Sequence, residues 1–190
     1  HVVEHYARLL RMIGIVMRER QFDLPTNSED LRQAEQSLIQ FRLHEGQRLV
    51  GLIPAGGVSW GLQAHFRRWP TEGFIQVGTA LSRRFDARVL VFGETADQGI
   101  CTEVADGIGP AAVNLVGQTT LGQFVNLLRC CDLVISSDGG PVHIAVSQGV
   151  NTVSIFGPVD PEVYGPYPPS PRHQVVSRDD LPCRPCYHRF

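Results

Sequence analysis

A strand, a glycine-rich turn and a helix are predicted between Leu133 and Gly149. The apolar run 133–135 is typical of a buried parallel strand, and Ser-Ser-Asp-Gly-Gly at 136–140 is typical of a tight turn. Pro141 fits the first turn of a helix, and Gly149 fits the residue that ends one. This order places backbone N–H groups and the positive end of a helix dipole at the edge of a sheet, where an anion can bind.

His143 falls in the first turn of this helix, where its ring can reach the bound anion. The chain contains no lysine, so contacts to a phosphate must come from arginine, histidine or the backbone. The lysine-containing P-loop pattern is therefore absent, and no G-x-G-x-x-G follows a predicted strand. The simpler alternative is a capped helix after a strand, with no ligand.

Strands and helices alternate over most of the chain. The predicted strands are 48–53, 88–92, 113–116, 133–135 and 152–156, and the helices that follow the first four are 71–85, 95–107, 121–130 and 141–148. This alternation predicts an α/β fold with a doubly wound parallel sheet. The ligand of such a sheet binds outside the carboxyl ends of its strands.

The two ends of the chain differ from this pattern. Residues 1–14 and 29–45 are predicted helices, and 15–28 is a connector. The stretch after Phe156 is rich in proline and is predicted to be a loop, followed by a short edge strand at 174–176. Because His1 enters a helix at once, we expect that it is not the natural start.

Composition excludes some classes of protein. With 190 residues and 43% hydrophobic residues, the chain can form one well-packed domain. A net charge of −2 lacks the strong positive charge that is typical of nucleic-acid-binding proteins. Neither an apolar run long enough to span a bilayer nor a signal peptide is visible. Cys101, Cys130 and Cys131 are predicted to be buried thiols.

The motif Cys183-x-x-Cys186 is a weak metal-binding signal, because a structural metal site needs four ligands. His188 is a candidate third ligand. The favoured interpretation is two free thiols in a tail.

Five sequence blocks occur in order along the chain, and the last two, which contain Asp-x-Gly-x-x-His and Phe-Gly-Pro-x-Asp-Pro, are specific as a pair. They are Arg67-Arg68-Trp69-Pro70, Val91-Phe92-Gly93-Glu94, Leu115-Val116-Gly117-Gln118-Thr119-Thr120, Ser137-Asp138-Gly139-Gly140-Pro141-Val142-His143-Ile144-Ala145 and Ile155-Phe156-Gly157-Pro158-Val159-Asp160-Pro161. Together they resemble the carboxyl-terminal half of glycosyltransferase family 9, the ADP-heptose:lipopolysaccharide heptosyltransferases.

The resemblance implies the carboxyl-terminal, Rossmann-like domain of a two-domain GT-B enzyme. Residues 1–28 would be the interdomain helix and linker, 29–176 the nucleotide-sugar donor domain, and 177–190 a cysteine-containing tail. The implied reaction is inverting transfer of heptose from ADP-heptose to the lipopolysaccharide inner core, with no cofactor required. The acceptor-binding domain and its general base are expected to lie outside this chain. The implied location is the cytoplasm, and peripheral contact with the inner membrane is left open.

The matched positions carry plausible chemistry for this reaction. Negative charge develops on the β-phosphate as the sugar leaves, so fixed donors are the main catalytic requirement. Backbone N–H groups at Gly139, Gly140 and Val142, together with His143, are the candidate donors. Asp138 is predicted to cap the helix, because a carboxylate repels phosphate; a sugar hydroxyl is its alternative partner.

Three further charged residues are implied by the resemblance. Arg67 stands where family members often carry a phosphate-binding lysine, and it is assigned with His143 to catalysis. The alternative is that Arg67 is a solvated charge. Glu94 and Asp97 are both candidates for the acidic residue that faces the ribose or base.

Tyr164, in the proline-rich stretch, is predicted to pack at the surface, with the interdomain cleft as the alternative.

Two other functions remain open from the residues alone. One is a nucleotide-sugar epimerase similar to UDP-N-acetylglucosamine 2-epimerase, although such enzymes lack the Phe-Gly-Pro-x-Asp-Pro block. The other is a non-catalytic nucleotide-binding module.

Overall fold

The computed structural model describes residues 1–18, 22, 24–42, 46–57 and 61–186. Its strands are β1 (Leu49–Ile53), β2 (Arg88–Val91), β3 (Ala112–Asn114), β4 (Leu133–Ser137), β5 (Asn151–Phe156) and β6 (His173–Ser177). Its α-helices are α1 (Val2–Met12), α2 (Ser28–Gln40), α3 (Thr71–Phe85), α4 (Gln98–Ile108), α5 (Leu121–Arg129), α6 (Gly140–Ser147) and α7 (Pro161–Tyr164).

The six strands form one parallel sheet in the order β3-β2-β1-β4-β5-β6. This is the doubly wound, Rossmann-like arrangement, and it confirms the predicted fold class. The strand order reverses between β1 and β4, whose carboxyl ends lie side by side at one edge of the sheet. A ligand site is expected at this point.

Alternate residues of the central strand β1 pack into cores on opposite faces of the sheet. Leu49 contributes to a core with Leu128 of α5, whereas Leu52 contributes to a core with Phe74 of α3. All four side chains are at most 3% exposed. The two cores therefore hold the helices on both faces and fix the strand ends between them.

Local capping signals define several helix ends. Asn27 caps α2, since its side chain accepts the Asp30 N–H at 2.7 Å. Thr120 caps α5 and accepts the Gln123 N–H at 3.2 Å. Gly149 follows α6 with a φ of +71°, a conformation that favours glycine.

Two short helices were not predicted. A 3₁₀ helix spans Gly61–Arg67 inside the long loop after β1, and α7 interrupts the proline-rich stretch. The helix α7 is so short that it has no apolar periodicity. Its signal is instead the cap, because Asp160 accepts the Glu162 N–H at 2.8 Å and Pro161 occupies the first turn.

The cysteine predictions are confirmed at two positions and wrong at a third. Cys101 and Cys131 are buried, and burial raises the pKa of Cys101 to about 12. Cys130 is exposed instead, because it follows the last turn of α5 and lies outside the core. Among the residues that the structure describes, no helix has the length and apolarity to cross a membrane.

Candidate functional site

A cavity of about 580 Å³ opens at the carboxyl edge of the sheet. Its walls come from the loops after β1, β2 and β3, from α5 and from the first turn of α6. Phe92 and Phe124 lie edge to face with ring centroids 5.1 Å apart and provide an aromatic wall. A cavity of this size and character suits a planar, largely apolar group.

A smaller and more polar cavity of about 150 Å³ lies beside it. Its walls are formed by residues of the 3₁₀ helix, of the turn after β4, of α6 and of the loop and helix after β5: Arg67, Asp138, Gly139, Gly140, His143, Val159 and Tyr164. Gly140 lines both cavities. The first turn of α6 therefore forms the junction between an apolar and a polar compartment.

Arg67 and Asp138 form a buried ion pair in the polar cavity. The Arg67 Nε and Nη2 atoms lie 2.9 and 2.8 Å from Asp138 Oδ2, and the side chains are 11% and 2% exposed. Burial raises the pKa of Asp138, and the positive charge of Arg67 opposes that rise. A carboxylate taken this far out of water needs such a charged partner.

The prediction that Asp138 caps α6 is wrong. The N-cap of α6 is Gly139, and no side chain caps the helix. The Asp138 carboxylate instead binds the guanidinium of Arg67, because a charge-assisted hydrogen bond is stronger than one to a single backbone N–H. The same pairing shows that Arg67 is not a solvated charge.

His143 lies in the first turn of α6, as predicted, and lines the polar cavity. Desolvation by the surrounding protein and the positive charge of Arg67 both lower the pKa of His143. Both effects favour the neutral imidazole in the free protein. An anion placed against it would reverse this balance by favouring the protonated ring.

The glycine-rich turn contains glycines with different roles. A Cβ at Gly139 would lie 1.8 Å from the Gly56 carbonyl oxygen, so this glycine allows the loops after β1 and β4 to pack closely. A Cβ at Gly140 would meet nothing within 4 Å. Gly140 is thus open to a ligand, whereas the missing side chain of Gly139 faces protein backbone.

Val142 does not offer the open backbone donor that was predicted. Its N–H donates to the Gly139 carbonyl at 3.2 Å, and its side chain is buried in the protein interior. The first turn of α6 tightens and uses this N–H itself.

The structure separates the two acidic candidates at the apolar cavity. Asp97 is 3% exposed, and its Oδ2 accepts the Glu94 N–H at 3.2 Å while its Oδ1 binds Arg68 Nη2 at 3.4 Å. Glu94 lies exposed on the cavity wall. The geometry favours Glu94 as the residue that contacts a ligand. Asp97 instead stabilises the loop after β2 through its contacts with the Glu94 N–H and Arg68.

A model of glycosyltransferase family 9 (heptosyltransferase) matches residues 1–190. The chain belongs to this family. The lipooligosaccharide heptosyltransferase 2 of Campylobacter jejuni is 31% identical over 151 residues, which are 77% of this chain and 44% of that protein. The chain spans about half the length of the curated relatives that it matches.

Two solved structures share the fold of this family 9 chain. The family 9 glycosyltransferase of Veillonella parvula superposes with a TM-score of 0.80 at 25% identity, over 93% of this chain and 49% of that one. Escherichia coli ADP-heptose lipopolysaccharide heptosyltransferase II gives a TM-score of 0.68 at 22% identity, over 85% and 47%. Membership of this family favours a transferase over the epimerase alternative.

Tyr164 of α7 also lines the polar cavity. The sequence favoured packing at the surface for this residue, with the interdomain cleft as the alternative. The Asp160 cap could have predicted the short helix that carries Tyr164.

The cysteine motif forms no cluster with other metal-binding side chains in the described part of the chain. The Cys186 thiol donates to the Cys183 carbonyl oxygen at 3.0 Å. His188, the candidate third ligand, lies outside the described residues.

Proposed function

We propose that this chain is the donor-binding domain of an inverting glycosyltransferase that transfers heptose from ADP-heptose to the lipopolysaccharide inner core. The observation that carries this proposal is the pair of cavities that meet at Gly140, one aromatic and one lined by Arg67 and His143. The names of the relatives support the substrate assignment, since they contain ADP-heptose, lipooligosaccharide and lipopolysaccharide. A cytoplasmic location is part of the proposal.

The compartments suggest how the donor binds. The adenine occupies the larger cavity against its aromatic wall, and the ribose hydroxyls face Glu94. The diphosphate crosses the first turn of α6 at Gly140, where the helix dipole favours negative charge. The sugar then enters the polar cavity, where Asp138 and Tyr164 face its hydroxyls.

The proposed reaction breaks the bond between the anomeric carbon and the β-phosphate oxygen. The acceptor hydroxyl attacks the anomeric carbon from the opposite face, and the electron pair of the broken bond stays on the phosphate. Arg67 and His143 stabilise this developing charge; one such donor is typically worth about 2.7–4 kcal/mol of the barrier. The acceptor's proton goes to a general base on the acceptor-binding domain, which we place outside this chain.

Residues 29–176 form the donor domain in this proposal, and residues 1–28 connect it to the acceptor domain. The helix α1 supports the second assignment, because only Val3 and Ala7 are buried on it. Tyr6, Leu9 and Ile13 lie at helical spacing and are 61%, 58% and 71% exposed. We propose that this stripe packs against the acceptor domain.

The Leu9→Ser/Ile13→Ser variant tests the role of α1. We expect it to lower the unfolding free energy of the full-length protein by about 3–5 kcal/mol, since two apolar side chains would lose their buried contacts. This chain alone should unfold as before. Arg8→Ser, on the exposed polar face, is the control. Equal unfolding of wild type and double variant in the full-length protein would contradict the proposal.

The Gly140→Ala variant tests where the donor binds. The added methyl group points into open space at the junction of the cavities, so it should leave the fold intact and weaken ADP binding about ten- to a hundredfold. Gly99→Ala is the matched control, because Gly99 also lies in a first helical turn with nothing within 4 Å of its added Cβ. Calorimetric titration with ADP measures both. Unchanged affinity in Gly140→Ala would place the nucleotide elsewhere.

A further inference from the structure

The cysteine-containing tail folds back onto the loop that follows β5. Arg184 is the main link: its side chain is only 9% exposed, and its Nε donates to the Gly157 carbonyl at 2.6 Å. Its Nη2 donates to the Val159 carbonyl at 3.2 Å, and its Nη1 pairs with Asp179 at 2.6 Å. One guanidinium thus binds two carbonyl groups of a single short loop.

The backbone of Cys186 completes this attachment. Its N–H donates to the Pro158 carbonyl at 2.8 Å, so three consecutive carbonyl groups of the loop are bound by the tail. Carbonyl groups turned away from water need such donors, and arginine offers several in one rigid plane.

The same loop contacts the polar cavity on its other side. Val159 is 2% exposed and lines that cavity together with Arg67 and Asp138. Gly157 packs closely against the segment that carries Arg67, since a Cβ there would lie 3.0 Å from the Phe66 carbonyl oxygen. The loop therefore lies between the tail and the buried ion pair.

We propose that Arg184 is a positioning residue for the polar cavity. By holding the carbonyl groups of Gly157 and Val159, it fixes the wall against which Arg67 and its bound diphosphate are oriented. It does not touch the donor. This inference rests on the proposed function, because it assigns the diphosphate to the polar side of Gly140 and the adenosine to the apolar side.

The test compares ADP and adenosine binding by the whole chain. Arg184→Ala should weaken ADP binding at least tenfold and leave adenosine binding within twofold of wild type, because adenosine needs only the apolar cavity. Arg184→Lys should give an intermediate ADP affinity, since an ammonium group cannot span both carbonyl groups as a guanidinium does. The lysine variant also provides a second test if the alanine variant folds poorly.

Arg178→Ala is the matched control, because Arg178 lies in the same tail but pairs with Asp180 at the exposed surface. It should bind both ligands as wild type does. Equal losses of ADP and adenosine affinity in the Arg184 variants would indicate a general structural defect and overturn the inference, as would unchanged ADP affinity. Failure of the wild-type chain to bind ADP would contradict the proposed function itself, whereas the results with the Arg184 variants test only the role of Arg184.

Discussion

The Arg67→Ala variant is expected to lose about 3–5 kcal/mol of unfolding free energy, because it leaves a buried carboxylate without its charged partner. Asp138 is 2% exposed and has its guanidinium partner 2.8 Å away in the wild type. Chemical denaturation measures this loss. The variant should also lose ADP binding, since the cation assigned to the β-phosphate is gone.

The double variant Arg67→Ala/Asp138→Asn separates these two effects. A neutral amide removes the buried charge, so most of the lost stability should return while ADP binding stays weak. A loss below about 1 kcal/mol in Arg67→Ala, the range of exposed ion pairs, would contradict the buried pair.

The destabilisation of Arg67→Ala should depend on pH in a definite direction. Burial already raises the pKa of Asp138 in the wild type, and removing Arg67 removes the charge that opposes this rise. A group whose pKa is raised by folding stabilises the protein at low pH, and this stability is lost as pH rises through the folded-state pKa. The stability gap between variant and wild type should therefore narrow as pH falls through the raised pKa of Asp138 in the variant, and it should be smallest below the ordinary pKa of an aspartate.

Replacing His143 by alanine should weaken ADP binding by about ten- to a hundredfold, the usual value of a hydrogen bond to a charged group. Because the pKa of His143 is lowered in the free protein, a phosphate against the ring should raise it on binding. ADP binding is then accompanied by proton uptake. Calorimetry in buffers of different ionisation enthalpy counts these protons, and His143→Ala should take up fewer than wild type.

The pH dependence of stability provides an independent check on His143. Its folded-state pKa lies below the ordinary value of 6.5, so protonation favours the unfolded chain. The stabilising contribution of this group is fully present above pH 6.5 and is lost as pH falls through the folded-state pKa.

His173→Gln is the control for the proton uptake measured by calorimetry, because the pKa of His173 is also lowered but the residue lies on β6. Proton uptake that persists unchanged in His143→Ala would contradict the assignment.

Features that depend on neighbouring residues were predictable from the sequence. The strand, turn and helix around the glycine-rich segment, the caps at Asn27 and Thr120 and the end of α6 at Gly149 are all encoded within a few residues. Turn chemistry and helix capping act over one turn, so they can be read locally. The parallel sheet follows from the alternation of such local elements.

Contacts between distant parts of the chain were not predictable in the same way. Arg67 and Asp138 are 71 positions apart, so nothing near Asp138 indicated that its carboxylate would bind a guanidinium rather than cap α6. Glu94 and Asp97 could be distinguished only once Arg68 was seen to bind Asp97. These outcomes depend on how the strand-end loops meet, which the sheet order decides.

Calorimetric titration of this chain with ADP and then UDP, in metal-free buffer, is the sharpest test of the nucleotide assignment. We expect ADP to bind without a divalent metal and UDP to bind at least tenfold more weakly, because adenine matches the larger cavity. UDP binding as tightly as ADP would contradict the adenine assignment. Binding of neither nucleotide, by a chain shown to be folded, would contradict the claim that these cavities hold a nucleoside diphosphate.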